Sequence, residues 1–156
     1  RSRVKGRVYE GGIRVPMIAH WPNQIKNERT TSHISAFQDF YATALDILNL
    51  DKPDYIDGLS YLPVLTNKDQ KKHEYLYWEF STQSGQQAVR FGKWKGIKTD
   101  LQKGPQPLQL YNLEDDITEI NNVSDDNPMI VEKIESILLN ARTTPALEKF
   151  KIKAID

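Results

Sequence analysis

Lys5-Gly6-Arg7-Val8-Tyr9-Glu10-Gly11-Gly12-Ile13-Arg14-Val15-Pro16, running straight into Met17-Ile18-Ala19-His20-Trp21-Pro22, is the stretch that organises the chain. Three glycines fall within seven positions, interleaved with charged side chains. Such a run lets the backbone take positive φ or come close to a ligand. Lys5 carries a compact ammonium with three donors, suited to an anionic oxygen group. Met17 to Trp21 is apolar and of strand length, so the stretch reads as a tight polar loop feeding a buried strand. Loops at strand ends are where chemistry is displayed, although a glycine-rich loop alone is also the composition of an ordinary turn.

Working outward, Asn23 to Ser32 is a polar surface loop. From Ile34 to Leu48, apolar side chains at 34, 37, 41, 44, 45 and 48 follow the three-and-four spacing of an amphipathic helix. Ser35 and Gln38 form a candidate capping box, and Asn49 and Pro53 close the helix. Asp39 and Asp46 read as solvated or capping carboxylates. Asp57-Gly58 marks a turn, and Ser60 caps a short helical turn to Leu65. Past the charged stretch 67–72 the pattern changes. Residues 74–80, 86–91, 94–98 and 108–113 are short, β-rich runs separated by turns, which predicts an antiparallel meander. Asp126 or Asn127 then caps a helix with Pro128 at its first position. Its stripe of Ile130, Val131, Ile134, Ile137, Leu138 and Ala141 is placed to cover the sheet. Residues 142–156 carry no clear pattern.

The chain has 156 residues with 21 basic and 21 acidic side chains, so charge gives no case for nucleic acid or an anionic membrane. There is no cysteine, which excludes disulfides, thiolate metal sites and a cysteine nucleophile in this chain. No apolar run approaches the roughly 18 residues of a membrane span. No two histidines stand three or four residues apart, so a local zinc motif is missing, and no metal site is expected here. His20 reads as a packing residue and His33 as exposed.

The opening stretch resembles the second signature region of the type I sulfatases, the formylglycine-dependent, arylsulfatase-like family. The resemblance extends through Asp57-Gly58-Leu59-Ser60, Tyr75 to Phe80, Gln87 to Lys95 and Leu110 to Asn121, to about Ala141. One departure is Ile117, where the family often has proline or glycine. The resemblance implies an α/β fold, the C-terminal portion of an alkaline-phosphatase-like sulfatase. Residues 1–66 would end the catalytic domain, with a strand and helix of the large mixed sheet. Residues 67–156 would form a small four-stranded antiparallel subdomain with a packed helix.

It further implies hydrolysis of sulfate esters, on a sulfated small molecule or glycan, with Lys5 as the catalytic residue that contacts the sulfate group. Tyr9, Glu10 and Arg14 would brace the Lys5 loop, with Arg14 an ion partner for Glu10. His73, beside the hinge, and Glu79 and Arg90 of the sheet are candidate substrate contacts, the latter two read first as a cross-strand ion pair. Trp78 and Trp94 read as core residues or stacking platforms. The formylglycine, made from cysteine or serine, and the calcium ligands would lie outside this chain, which opens inside a motif and without methionine. The chain alone is therefore expected to be inactive, to need the missing N-terminal part of the same protein as partner, and to come from a periplasmic or secreted enzyme. The rival readings are a non-catalytic carbohydrate-binding module on the same scaffold and a related phosphoesterase.

Overall fold

The computed structural model describes residues 6–156, so Lys5 lies just outside the described part. The element order is α1 (Glu10–Ile13), α2 (Asp39–Ile47), α3 (Leu62–Leu65), β1 (Leu76–Phe80), β2 (Gln86–Phe91), β3 (Trp94–Thr99), β4 (Gln109–Asn112) and α4 (Pro128–Asn140). The chain divides into two compact units. One joins the opening residues up to Val15 with Tyr75–Asp156, and the other is Pro16–Glu74. The expected division at 66/67 differs, because the signature segment is grouped with the sheet rather than with the residues that follow it.

In the sheet unit the four strands pair antiparallel in the order β1-β2-β3-β4. The register sets Val89 opposite Gly96 and Gly96 opposite Leu110, while Ala88 faces Ile97 and Lys95 faces Tyr111. Alternation along a strand sends successive side chains to opposite faces, and both faces are covered. On one, Val89, Leu108 and Leu110 pack against Ile134, Ile137 and Leu138 of α4. On the other, Ala88, Ile97, Tyr111 and Leu113 pack against Val8 of the signature segment. The sequence shows the first cover through the stripe of α4. The second joins residues 80 or more positions apart and has no local periodicity.

Gly96 marks how tightly α4 seats. A Cβ there would stand 2.6 Å from Ile134 Cγ2 and 3.1 Å from Leu108 Cδ1. Both are branched core side chains with nowhere to go. Overpacking of this kind costs about 1–3 kcal/mol, so Gly96→Ala is expected to lower the thermal unfolding midpoint, measured by calorimetry. An unchanged midpoint would show that the α4 contact gives way freely.

The tail belongs to the sheet unit. Ile152 is fully buried. Ala154 N–H donates to the Leu101 carbonyl at 3.1 Å, and Asp156 accepts from Arg142 at 2.6 Å and from Ile152 N–H at 2.7 Å. These are single contacts without period, so no sequence pattern announces them.

In the other unit the helix is shorter than its apolar spacing suggests. It begins at Asp39, with no side-chain cap from Ser35 or Gln38. The Asp39 carboxylate turns back to accept from Ala36 N–H at 2.7 Å, and that turn replaces the first helical turn. Ser60 Oγ accepts from Leu62 N–H at 3.2 Å at the start of α3. Residues 17–21, expected as a strand, form none and pair with no strand among the described residues. A strand needs a hydrogen-bonding neighbour, and the only sheet among the described residues is the four-stranded one. Ile18 is 94% exposed and Phe37 95%, with Phe40, Leu48 and Tyr55 also exposed.

Candidate functional site

The signature segment is built onto the sheet residue by residue. Gly6, directly after Lys5, has φ +85. Its carbonyl accepts from Gln86 Nε2 at 3.3 Å, and Gln86 is wholly buried. Val8 inserts into the apolar face of β2 and β3. The Tyr9 ring meets Tyr111 edge-on at 6.4 Å between centroids, and the Tyr9 hydroxyl donates to Gln109 Oε1 at 3.1 Å. Glu10 to Ile13 then make the single turn of α1.

At Glu10 the segment enters a cluster of buried charges. Lys95 Nζ donates to Glu10 Oε1 at 2.7 Å and lies 3.0 Å from Glu119 Oε1. Glu119 Oε2 in turn accepts from the backbone N–H of Glu10 at 2.7 Å. Lys95 is 0% exposed. Arg14 and Arg90 flank the outer oxygen of Glu10 at 3.6 and 3.8 Å. Burial pushes the Glu119 carboxyl above the ordinary glutamate range, while Lys95 and the Glu10 N–H pull it back.

Glu119 reaches this point from a turn in which it takes positive φ, +56. Asp116 shapes that turn, accepting from Ile120 N–H at 2.7 Å and Asn121 N–H at 2.8 Å. The Asn121 N–H, with Thr118 and Ile120, holds the Asp116 carboxyl below its ordinary range. Three passages distant in sequence therefore meet at one point: Tyr9-Glu10, Trp94-Lys95 and Asp116 to Asn121. β3 reads Trp-Lys-Gly-Ile-Lys-Thr, and nothing local sets the buried Lys95 apart from Lys98.

The other candidate residues are dispersed. Glu79 and Arg90 do not form a cross-strand pair: Glu79 stands opposite Gln87 and Arg90 opposite Leu76, which places them on opposite faces of the sheet. Glu79 lies on the α4 face, where Arg142 donates to it at 2.9 Å and Tyr77 also bonds it. Burial and this bond to Glu79 push the Tyr77 hydroxyl pKa up. Only Arg90 shares the face with Glu10. His73 lies in the other unit, 13% exposed, with Nε2 2.8 Å from Asp39 Oδ1. Asp39, expected as a solvated or capping carboxylate, is buried rather than solvated, and it accepts from the backbone N–H of Ala36 before α2. Trp78 packs on the Val8 side and Trp94 on the α4 side. Among the described residues no three His, Cys, Asp or Glu side chains converge as a metal site, and no helix is long and apolar enough to cross a membrane.

The small meander with its packed helix has the fold found in solved structures such as Ps i-CgsB and yidJ of Bacteroides fragilis. The chain belongs to the family described as N-sulphoglucosamine sulphohydrolase, C-terminal, which matches residues 4–144. Among curated relatives, an N-acetylgalactosamine-6-O-sulfatase of Bacteroides thetaiotaomicron is 28% identical over 89% of this chain and 29% of its own length. Arylsulfatase G of Canis lupus familiaris is 26% identical over 88% of this chain and 29% of its own length. Among solved structures, Ps i-CgsB matches with a TM-score of 0.73 and 29% identity over 85% of this chain and 29% of that one. It has also been crystallised with k-i-k-neocarrahexaose. The chain thus spans under a third of the length of the proteins it matches.

Proposed function

We propose that the chain is the C-terminal part of a longer sulfate-ester hydrolase acting on a sulfated glycan, and that Lys5 is the residue it contributes to the reaction. The observation carrying this reading is the anchoring of the segment after Lys5 onto the sheet at Gly6, Val8 and Glu10, where a loose loop would have no such fixings. Cleaving a sulfate ester gathers negative charge on oxygen, and a preorganised ammonium stabilises that charge more in the transition state than in the ground state. The sugar-directed name of the Bacteroides relative and the oligosaccharide bound by Ps i-CgsB support a glycan substrate. The formylglycine nucleophile and the calcium are proposed to come from residues outside this chain. The exposed Ile18, Phe37 and Phe40 are proposed to pack against that preceding part. A periplasmic or secreted location is part of the same proposal, by analogy with sulfatases that degrade glycans.

The test is turnover by the full-length protein of an aryl sulfate, 6-O-sulfated N-acetylgalactosamine and an aryl phosphonate. We expect release of sulfate, and none from residues 1–156 alone. Hydrolysis of the phosphonate without the sulfates would replace the reading with a phosphoesterase, and binding of the sugar without turnover would replace it with a carbohydrate-binding module.

A further inference from the structure

We infer that Lys95 and Glu119 are positioning residues for Lys5, an inference that rests on the catalytic role proposed for Lys5. The two side chains close a ring of charged contacts on Glu10. Glu119 Oε2 accepts from its backbone N–H and Lys95 donates to its carboxylate, while Lys95 Nζ and Glu119 Oε1 face each other as an ion pair at 3.0 Å without a hydrogen bond between them. Both the main chain and the side chain of Glu10 are thereby fixed from the sheet side. Gln86 fixes Gly6 on the same face, so the residues between Lys5 and α1 are gripped at both ends.

Stability alone does not account for this arrangement. A buried ion cluster gains little over apolar residues of equal volume, because desolvation of each charge offsets the attraction. The raised Glu119 carboxyl reflects that cost. What the cluster supplies is direction. Val8 alone would hold the segment against the sheet, but apolar contact tolerates sliding, whereas two short bonds to one residue, one at its N–H and one at its carboxylate, fix its register. Arg90 and Arg14 stand 3.8 and 3.6 Å from the second oxygen of Glu10, adding positive charge beside the two carboxylates. A displacement of about 1 Å in a charge-stabilising group can cost on the order of 100-fold in rate, so the sheet's grip on Glu10 reaches the chemistry through Lys5.

The test is a double-mutant cycle in the full-length enzyme, with kcat and KM measured on an aryl sulfate and the folded fraction measured in parallel. Lys95→Met is expected to lower kcat about 10- to 100-fold with KM nearly unchanged. In the Lys5→Ala background the same substitution should change kcat by less than about twofold, since a displaced lysine and an absent one are equivalent. Glu119→Gln, which keeps the acceptor for Glu10 N–H and removes the charge, gives the same comparison if Lys95→Met does not fold. Equal factors in both backgrounds, or an unchanged kcat in a folded variant, would overturn the inference while leaving the role of Lys5 intact. An unchanged kcat in Lys5→Ala alone would overturn that role and the inference with it.

Discussion

Lys5→Ala in the full-length enzyme is expected to lower kcat on an aryl sulfate by about 100- to 1000-fold, the loss seen when one preorganised donor to a developing oxyanion is removed. The effect should fall on kcat rather than KM, because the ammonium is worth most where charge is greatest. Lys5→Arg keeps the charge but replaces a point donor with a planar fork on a longer stem. It should recover part of the rate and raise KM, since the fork needs room that a site fitted to an ammonium does not provide. Thermal unfolding of both variants should match that of the parent enzyme. A kcat within about twofold of the parent in a folded Lys5→Ala variant would remove this chain from the chemistry altogether.

Asp39→Ala is expected to produce the largest loss of stability. The buried carboxylate accepts from Ala36 N–H at 2.7 Å, Leu59 N–H at 2.8 Å and His73 Nε2 at 2.8 Å. It ties the entry to α2, the turn after Gly58 and the residues before β1 into one unit. Removing it strands two backbone donors and an imidazole, at about 1–3 kcal/mol for each group left buried and unpaired. The total is expected near 3–5 kcal/mol, read from urea denaturation of the full-length protein. Asp39→Asn keeps one acceptor oxygen but turns an amide toward a donor, so its loss should be intermediate. Hydrogen exchange at the Leu59 amide should accelerate in both variants. A loss below about 1 kcal/mol in Asp39→Ala would mean that water takes over these bonds.

The sheet unit was readable from the sequence because its elements announce themselves locally. The four short runs and the stripe of α4 each carry their own period, and their expected bounds differ from the observed ones by a residue or two. The signature segment was readable as a feature but not as a packing element, since nothing within residues 5–16 shows that Val8 and Glu10 fit the face of strands some 80 residues on. The ion ring was hidden for the same reason: Glu10 meets Lys95 and Glu119 across sequence separations of 85 and 109. Asp39 and His73 illustrate the point in the other unit. Asp39 reads locally as a solvated or capping carboxylate and His73 as a substrate contact, and only the fold brings their side chains together across 34 positions. Met17 to Trp21 failed in the opposite way, because strand composition is local but a strand requires a neighbour.

The closure of Glu10 by Glu119 also sets an order of events during synthesis. The segment following Lys5 leaves the ribosome first, yet the last side chain that holds it is made 109 residues later. At about 5–20 residues per second that interval is about 5–20 s. Until it ends, Val8 and the Glu10 carboxylate can meet β2 and β3, but the Glu10 N–H lacks its acceptor. The anchoring of the signature segment is therefore completed only once Glu119 has been made, and a stop anywhere before Glu119 leaves the signature sequence present but the Glu10 N–H without its acceptor.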